Sequence, residues 1–317
     1  MASVFNPAQI SLYESYISLP EQYHQKNHPA LTLEYLTSLH VHQISAIPYE
    51  NLLLHYSATH QVSVDPQVVF NKIVTNARGR GGYCMEVSVF YNHVLRALGF
   101  QVYMTGVRVR PRVDNVPKGD YMGLVHIVNI VTLPTGHKYM VDVGFGGDGA
   151  TLPIPLEANS PVRNLGAQEI RLLHEPIPQQ SDRSRPMWIY QYRNGPELDW
   201  NSFYCFGEDE FIQQDFEIMN FYTSTSTWER NFQTKSVLAI RFLRGVEEGV
   251  ERIVGKRMLV DGVVKENLGE KTKVVKICET EEERVEVLRE FFGIALTEEE
   301  IGGVKGRNVE LKGKLPN

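Results

Sequence analysis

Cysteine is scarce in this chain. Only Cys84, Cys205 and Cys278 occur in 317 residues, and none belongs to a Cys-x-x-Cys pair. That argues against a disulfide scaffold and against a cysteine zinc site, and it fits a reducing compartment in which a free thiol stays usable. No stretch of 18 apolar residues is present, so no transmembrane helix is expected. The first twenty residues carry no basic segment followed by an apolar run, so they do not read as a signal peptide. The expected location is the cytoplasm, with no membrane partner. Positive charge is not in excess either. The net charge is −6, which gives no general attraction to nucleic acid. Repeats and low-complexity runs are absent. Ten histidines are present, and His24, His28, His40, His42, His55 and His60 cluster early. Their spacing matches no metal motif, so no metal is expected and these residues read as surface or capping histidines.

What is present is an ordinary soluble composition, 42% hydrophobic and 22% charged. The length exceeds what one core usually organises, so two or three subdomains are expected. Residues 7–60 read as helices, with Thr32 capping LEYLTSLHVHQIS and Asp65-Pro66 opening another short helix. After the glycine-broken loop RGRGGYC, apolar residues recur at 87, 90, 91, 94, 95 and 98, a helical stripe that Gly99 ends. From about residue 100 the period becomes that of strands: QVYMTGVRVR, LVHIVNIVTL, HKYMVDVGF, MWIYQY and SVLAIRFL. Pro134-Thr135-Gly136 supplies hairpin chemistry between the second and third. Residues 175–186 read as a surface loop. Thr280 with Glu283 caps a late helix, and the glycine- and lysine-rich tail after 302 reads as surface.

The chemistry concentrates around Cys84. It sits at the start of a helix, where the partial positive charge favours a thiolate, behind Gly81-Gly82, which lets a substrate approach. A buried structural cysteine has the same look. A nucleophilic cysteine needs a base, and the base needs an orienting group. His126 stands inside the apolar strand GLVHIVNIV and Asp142 inside YMVDVGF. The hairpin at 134–136 brings them within about two positions across the ladder, where side chains meet. A purely structural His–Asp pair remains the alternative. The run Gly144-Phe145-Gly146-Gly147 follows Asp142 and reads as a floor for the site with backbone N–H groups free for phosphate.

These residues carry a family resemblance. Arg80-Gly81-Gly82-Tyr83-Cys84 resembles the arginine-glycine-glycine-x-cysteine signature of the arylamine N-acetyltransferases. Ile47-Pro48-Tyr49-Glu50-Asn51-Leu52 resembles the family's IPFENL-type segment. Val125-His126 and Val141–Gly146 resemble its His and Asp strands. Asp215–Ser226 resembles its later cofactor-contacting stretch. The similarity is colinear over roughly residues 10–300. It implies an α+β fold in three parts: a helical bundle over 1–100 carrying the cysteine, a β-barrel over 101–228 carrying His and Asp, and an α/β lid over 229–317. It implies acyl transfer from acyl-CoA through a thioester on Cys84 to an aromatic amine or hydrazine. His126 would be the base and Asp142 its orienting group. Met122, Gly123, Tyr222, Thr225 and Ser226 would contact the cofactor, and Val125, His126 and Phe145 the acceptor. Arg80 paired with Glu50 would position the loop.

Departures accompany the resemblance. Trp228 stands where relatives often carry a small hydroxyl residue, and Thr225-Ser226-Thr227 replaces a Thr-Ser-Pro run. Acetyl, propionyl and malonyl groups all suit the chemistry. Arg108 and Arg110 read as a solvated strand face more readily than as readers of an acyl carboxylate. A cysteine hydrolase or transglutaminase-like enzyme would use the same three residues, and a non-catalytic binder of CoA or an aromatic ligand is the alternative outside enzymes.

Overall fold

The computed structural model describes residues 2–114, 116–229 and 231–313; residues 314–317 of the expected surface tail lie outside them. The first hundred residues are mainly helical: α1 (Pro7–Tyr16), α2 (Leu33–Ala46), α3 (Leu53–Tyr56), α4 (Pro66–Phe70) and α5 (Cys84–Ala97), with a two-residue strand β1 (Tyr49–Glu50). Side chains set the helix starts. Asn6 and Gln9 form a reciprocal cap ahead of Pro7. Thr32 accepts from the Tyr35 N–H, and Asp65 accepts from the Gln67 and Val68 N–H groups. The helix expected over QVVFNKIV is regular only to Phe70 and widens into a π-turn over Asn71–Thr75. Apolar faces of α1, α2, α4 and α5 meet in one core around Tyr13, Leu36, Leu39, Phe70, Phe90 and Leu95.

The middle of the chain is a curled eight-stranded antiparallel sheet. Its strands are β2 (Gln101–Val109), β5 (Leu124–Thr132), β6 (Lys138–Val141), β7 (Ile154–Pro155), β8 (Val162–Arg163), β9 (Glu169–Glu175), β10 (Met187–Arg193) and β11 (Asn201–Phe206), and the order is β7-β6-β5-β2-β11-β10-β9-β8. A small hairpin, β3 (Arg112–Val113) with β4 (Val116–Pro117), branches off after β2. The β5–β6 turn falls where Gly136 adopts a φ of +88°. Residues 176–186 form the connection between β9 and β10.

Helix α6 (Gln213–Thr225) follows the barrel, although no helix is expected there from the sequence. It turns Phe216, Met219 and Asn220 inward and leaves Ile218, Phe221 and Tyr222 exposed. After α7 (Phe232–Lys235) come β12 (Leu238–Glu247), β13 (Val250–Val260), β14 (Val263–Asn267), β15 (Lys273–Ile277), α8 (Glu281–Phe292) and α9 (Glu298–Gly303). The edge of this second sheet is β1, in the order β1-β12-β13-β14-β15. A strand lying against the cysteine loop is thus completed by residues some 190 positions later, Tyr49 opposite Ile240 and Glu50 opposite Ala239.

Phe90 is fully buried on α5, against Phe5, Tyr13 and Phe70. Phe90→Ala is expected to lower unfolding stability by about 3–5 kcal/mol, read as a fall in the urea midpoint without a change in slope.

Candidate active site

Helix α5 begins at Cys84, and this start is closed by its own sequence: the Glu86 carboxylate accepts from the Tyr83 N–H at 3.2 Å and is ion-paired by Lys72. Just upstream, Gly81 and Gly82 are required for space. A Cβ on Gly81 would lie 1.7 Å from the Pro48 carbonyl oxygen, and one on Gly82 would meet the Glu86 side chain at 2.7 Å. The loop is therefore pressed flat against β1, with Glu50 N–H bonded to the Gly82 carbonyl.

His126 and Asp142 meet as the hairpin predicts. The last ladder pair is Asn129 with Val141, which sets Asp142 opposite position 128, two residues from His126 and on the same face. His126 Nε2 lies 2.8 Å from Asp142 Oδ2. A carboxylate oxygen accepts, so Nε2 carries the proton and Nδ1 keeps the lone pair. The second Asp142 oxygen accepts from the Gly144 N–H at 3.0 Å. Both oxygens are thus satisfied in a fully buried position, which fixes the carboxylate and, through it, the ring.

Two features bring this pair to the cysteine. Between Val107 paired with His126 and Arg108 paired with Leu124, the ladder skips Val125. This bulge releases the Val125 carbonyl, which accepts from Cys84 Sγ at 3.8 Å. On the other side, a Cβ on Gly144 would sit 2.9 Å from the Cys84 Cα and 2.9 Å from Ser88 Oγ. The strand end holding Asp142 therefore touches the helix start holding Cys84 backbone to backbone. No hydrogen bond joins Cys84 Sγ to His126 among the described residues; such contacts often tighten only when substrate is bound.

The surroundings are buried and aromatic. Cys84, His126 and Asp142 are each 4% exposed or less. Phe145 lies with its ring 4.9 Å from that of His126 and packs edge-on against Phe203 and Tyr204. The cavity beside Asp142, walled by Tyr49, Phe145 and Phe242, measures about 10 Å³, enough for about one water. Burial, and after it the charge of Asp142, push the Cys84 thiol up, while the backbone N–H groups of Met85 and Cys84 pull it back. Burial outweighs the helix start, contrary to the lowering expected from the sequence. A lone thiolate is disfavoured here, so a thiolate can persist only beside a proton moved to His126 Nδ1 and balanced by Asp142.

Behind the loop lies a buried ion network. Arg80 Nε donates to Glu50 Oε1 at 2.9 Å, and Arg80 also pairs with Glu300 of α9. Glu50 further accepts from the Gly81 and Leu52 N–H groups, at 3.2 and 2.7 Å. Burial alone would raise the Glu50 carboxyl, but the Arg80 and Lys72 charges and these bonds hold it down at about 2.

The remaining expected residues are spread more widely. Val125 adjoins His126 at the bulge. Met122 and Gly123 lead into β5, and Gly123 is exposed with open space where a side chain would be. Tyr222, Thr225 and Ser226 lie on the outer face and end of α6, with Tyr222 52% exposed and Trp228 beyond it also exposed. The glycine run after Asp142 is not an open phosphate cradle, since the Gly144 N–H is taken by Asp142 and Gly146–Asp148 closes a 3₁₀ turn. His40, His42 and His55 are buried rather than at the surface. His40 and His55 are held at about 4, chiefly by burial, and their Nε2–H groups donate to the carbonyls of Ala150 and Gln233. Glu300, Phe203 and Tyr204 carry no motif of their own that marks them. Only Tyr49 had a sequence signal, its place in IPYENL.

With the geometry in hand, the comparisons agree. The family model described as N-acetyltransferase matches residues 32–301, and the chain belongs to that family, the arylamine N-acetyltransferases. It is 35% identical over 327 residues to N-malonyltransferase FDB2 of Fusarium pseudograminearum, covering 95% of this chain and 92% of that protein. It is 30% identical to arylamine N-acetyltransferase 2 of Mus musculus, covering 86% and 91%. Among solved structures, the arylamine N-acetyltransferase of Mycobacterium marinum in complex with CoA superposes with a TM-score of 0.71 at 23% identity, covering 95% and 97%. The fold is theirs, and the chain is an acyltransferase.

Two expectations follow. Glu50→Gln leaves Arg80 short of a buried partner and should cost about 3 kcal/mol, while Cys84 alkylation changes less. The folded-state value near 2 lies below the ordinary carboxyl value of about 4.3, so the wild-type advantage over Glu50→Gln should be full above pH ~4.3 and vanish as pH falls toward 2. Denaturation midpoints of both proteins against pH check this; a gap that persists at pH 2 contradicts it. Separately, iodoacetamide should modify Cys84 readily near neutral pH in the wild type. In His126→Gln the reaction should appear only above the free-thiol range of about 8.5; identical pH profiles would remove the thiol–imidazole coupling.

Proposed function

We propose that this protein transfers an acyl group from acyl-CoA, through a thioester on Cys84, to an aromatic amine or hydrazine. The observation that carries the reading is the fixed His126–Asp142 pair, set against the helix start that holds Cys84. His126 Nδ1 takes the Cys84 proton as Sγ attacks the thioester carbonyl. The CoA sulfur leaves with that proton, and Cys84 is left acylated. The acceptor amine then attacks the acyl carbonyl, gives its proton to Nδ1, and departs as the amide while Cys84 Sγ is released. Asp142 holds the Nε2 proton throughout and balances the imidazolium. Phe145 with Val125 forms the acceptor wall, and Met122, Gly123, Tyr222, Thr225 and Ser226 line the donor's route. Arg80 and Glu50 position the loop.

The donor's acyl group is acetyl or malonyl. The likeness to an N-malonyltransferase over 95% of the chain supports malonyl, and the likeness to arylamine N-acetyltransferases supports acetyl. We place the protein in the cytoplasm: its three cysteines are free, and among the described residues no helix is long and apolar enough to cross a membrane. A buried, aromatic site favours transfer to an amine over loss of the acyl group to water, which separates this reading from a hydrolase.

Intact-protein mass after separate incubation with acetyl-CoA and malonyl-CoA should show one acyl adduct, absent in Cys84→Ala, whose turnover should fall at least about 10³-fold. Addition of an arylamine should discharge the adduct. Discharge at the same rate in buffer alone would favour hydrolysis, and an adduct in Cys84→Ala would exclude the cysteine.

A further inference from the structure

Neither the triad nor the ion network behind it accounts for a second cavity of about 360 Å³. It lies where the end of α6, helix α7 and residues 307–308 meet α3. Its wall carries two cations, Lys235 and Arg307, and among the described residues no carboxylate. In a chain of net charge −6 this is a local reversal of sign. Arg307 donates one Nη2–H to the Leu54 carbonyl at 3.1 Å, and its Nε is buried without a partner. His60 lines the same wall, with a buried Nδ1 that also lacks a partner. Burial first, and the Arg307 charge after it, hold His60 below its ordinary value. The hydroxyls are not equivalent. Thr225 and Thr234 already donate to the Phe221 and Ser226 carbonyls, at 2.5 and 2.8 Å. Thr227 lines the cavity with its hydroxyl unbonded among the described residues.

A concave site with two uncompensated cations and a free hydroxyl donor favours a compact oxyanion with several acceptor oxygens. We propose that this cavity binds a phosphate-type anion, held by Lys235, Arg307 and Thr227. Phosphate could come from the nucleotide end of the acyl donor or from free phosphate in solution. Thr225 belongs both to this wall and to the donor route, so the first source rests on the proposed function; the second does not.

The test uses the full chain as wild type, Lys235→Ala and Arg307→Ala. Calorimetry measures binding of inorganic phosphate and of adenosine 3′,5′-bisphosphate, and kinetics measure KM for acetyl-CoA and for S-acetylpantetheine, which lacks the nucleotide. Each variant should weaken binding of the anion about tenfold or more. If the donor supplies the phosphate, KM for acetyl-CoA rises in step while KM for S-acetylpantetheine holds. If free phosphate is the occupant, both KM values hold while phosphate binding is lost. The inference is overturned if neither anion binds the wild type, or if both variants bind as the wild type does. Arg307 also supports α3, so Lys235→Ala, an exposed residue without an ion pair among the described residues, keeps the test decisive if Arg307→Ala unfolds. Failure of the wild type to take an acyl group would count against the proposed function alone, since calorimetry with phosphate still decides the cavity.

Discussion

The structure turns on one buried guanidinium. Arg80 is 1% exposed and reaches two carboxylates from distant parts of the chain, Glu50 on the edge strand of the C-terminal sheet and Glu300 on the last helix. A charge so far from water is tolerable only when its hydrogen bonds are met by partners of opposite sign. That requirement forces three segments to arrive together: the loop before Cys84, β1, and α9. Because Gly81 and Gly82 follow Arg80 directly, the demand also fixes where α5 can begin. In the proposed function the ion network positions the thiol, and the chemistry depends on it without touching it.

From that fixed helix start, the rest of the site is set by close backbone approach. Gly144 brings the end of the Asp142 strand against the Cys84 Cα, and the bulge at Val125 turns a carbonyl out of the ladder toward the thiol. The first contact is between backbones, and the second holds the thiol through a carbonyl that takes no part in the proposed chemistry. Each removes a way for the reacting groups to drift, which is how a preorganised site keeps its geometry with little reorganisation. Burial has an electrostatic consequence too. The thiol is pushed toward its neutral form, so the proton has one useful place to go, the unprotonated nitrogen of His126.

Much of this was legible beforehand. The 87–98 stripe, the capping residues Thr32, Asp65 and Thr280, and the hairpin at 134–136 are local signals with local causes, and the elements form where those signals fall. The two-position offset between His126 and Asp142 follows from the period of a strand and the place of a turn. Other features had no local cause. Helix α6 carries a weak stripe because only its inner third is buried, so Ile218 and Phe221 on the outside blur the pattern. His40 and His55 looked like surface histidines since polarity usually marks exposure, yet each is buried with its ring bonded to a carbonyl far away in sequence. The thiol's environment differs from the sequence expectation for a related reason: a helix start is visible in sequence, and the depth of its burial is not.

By itself, the sequence determined the chemical parts and their order: a cysteine at a helix start, a histidine and an aspartate on consecutive strands, and an arginine–glycine–glycine loop ahead of them. These are set by period, turn chemistry and residue type, which act over a few residues. Only the tertiary structure decided that Glu300 shares Arg80, that Tyr49 and Phe203 help wall the site, and that Lys235 and Arg307 face one cavity. Those outcomes come from packing and charge neutralisation between segments up to some 250 positions apart. No local pattern encodes them, because the interactions that select them exist only once the chain has closed on itself.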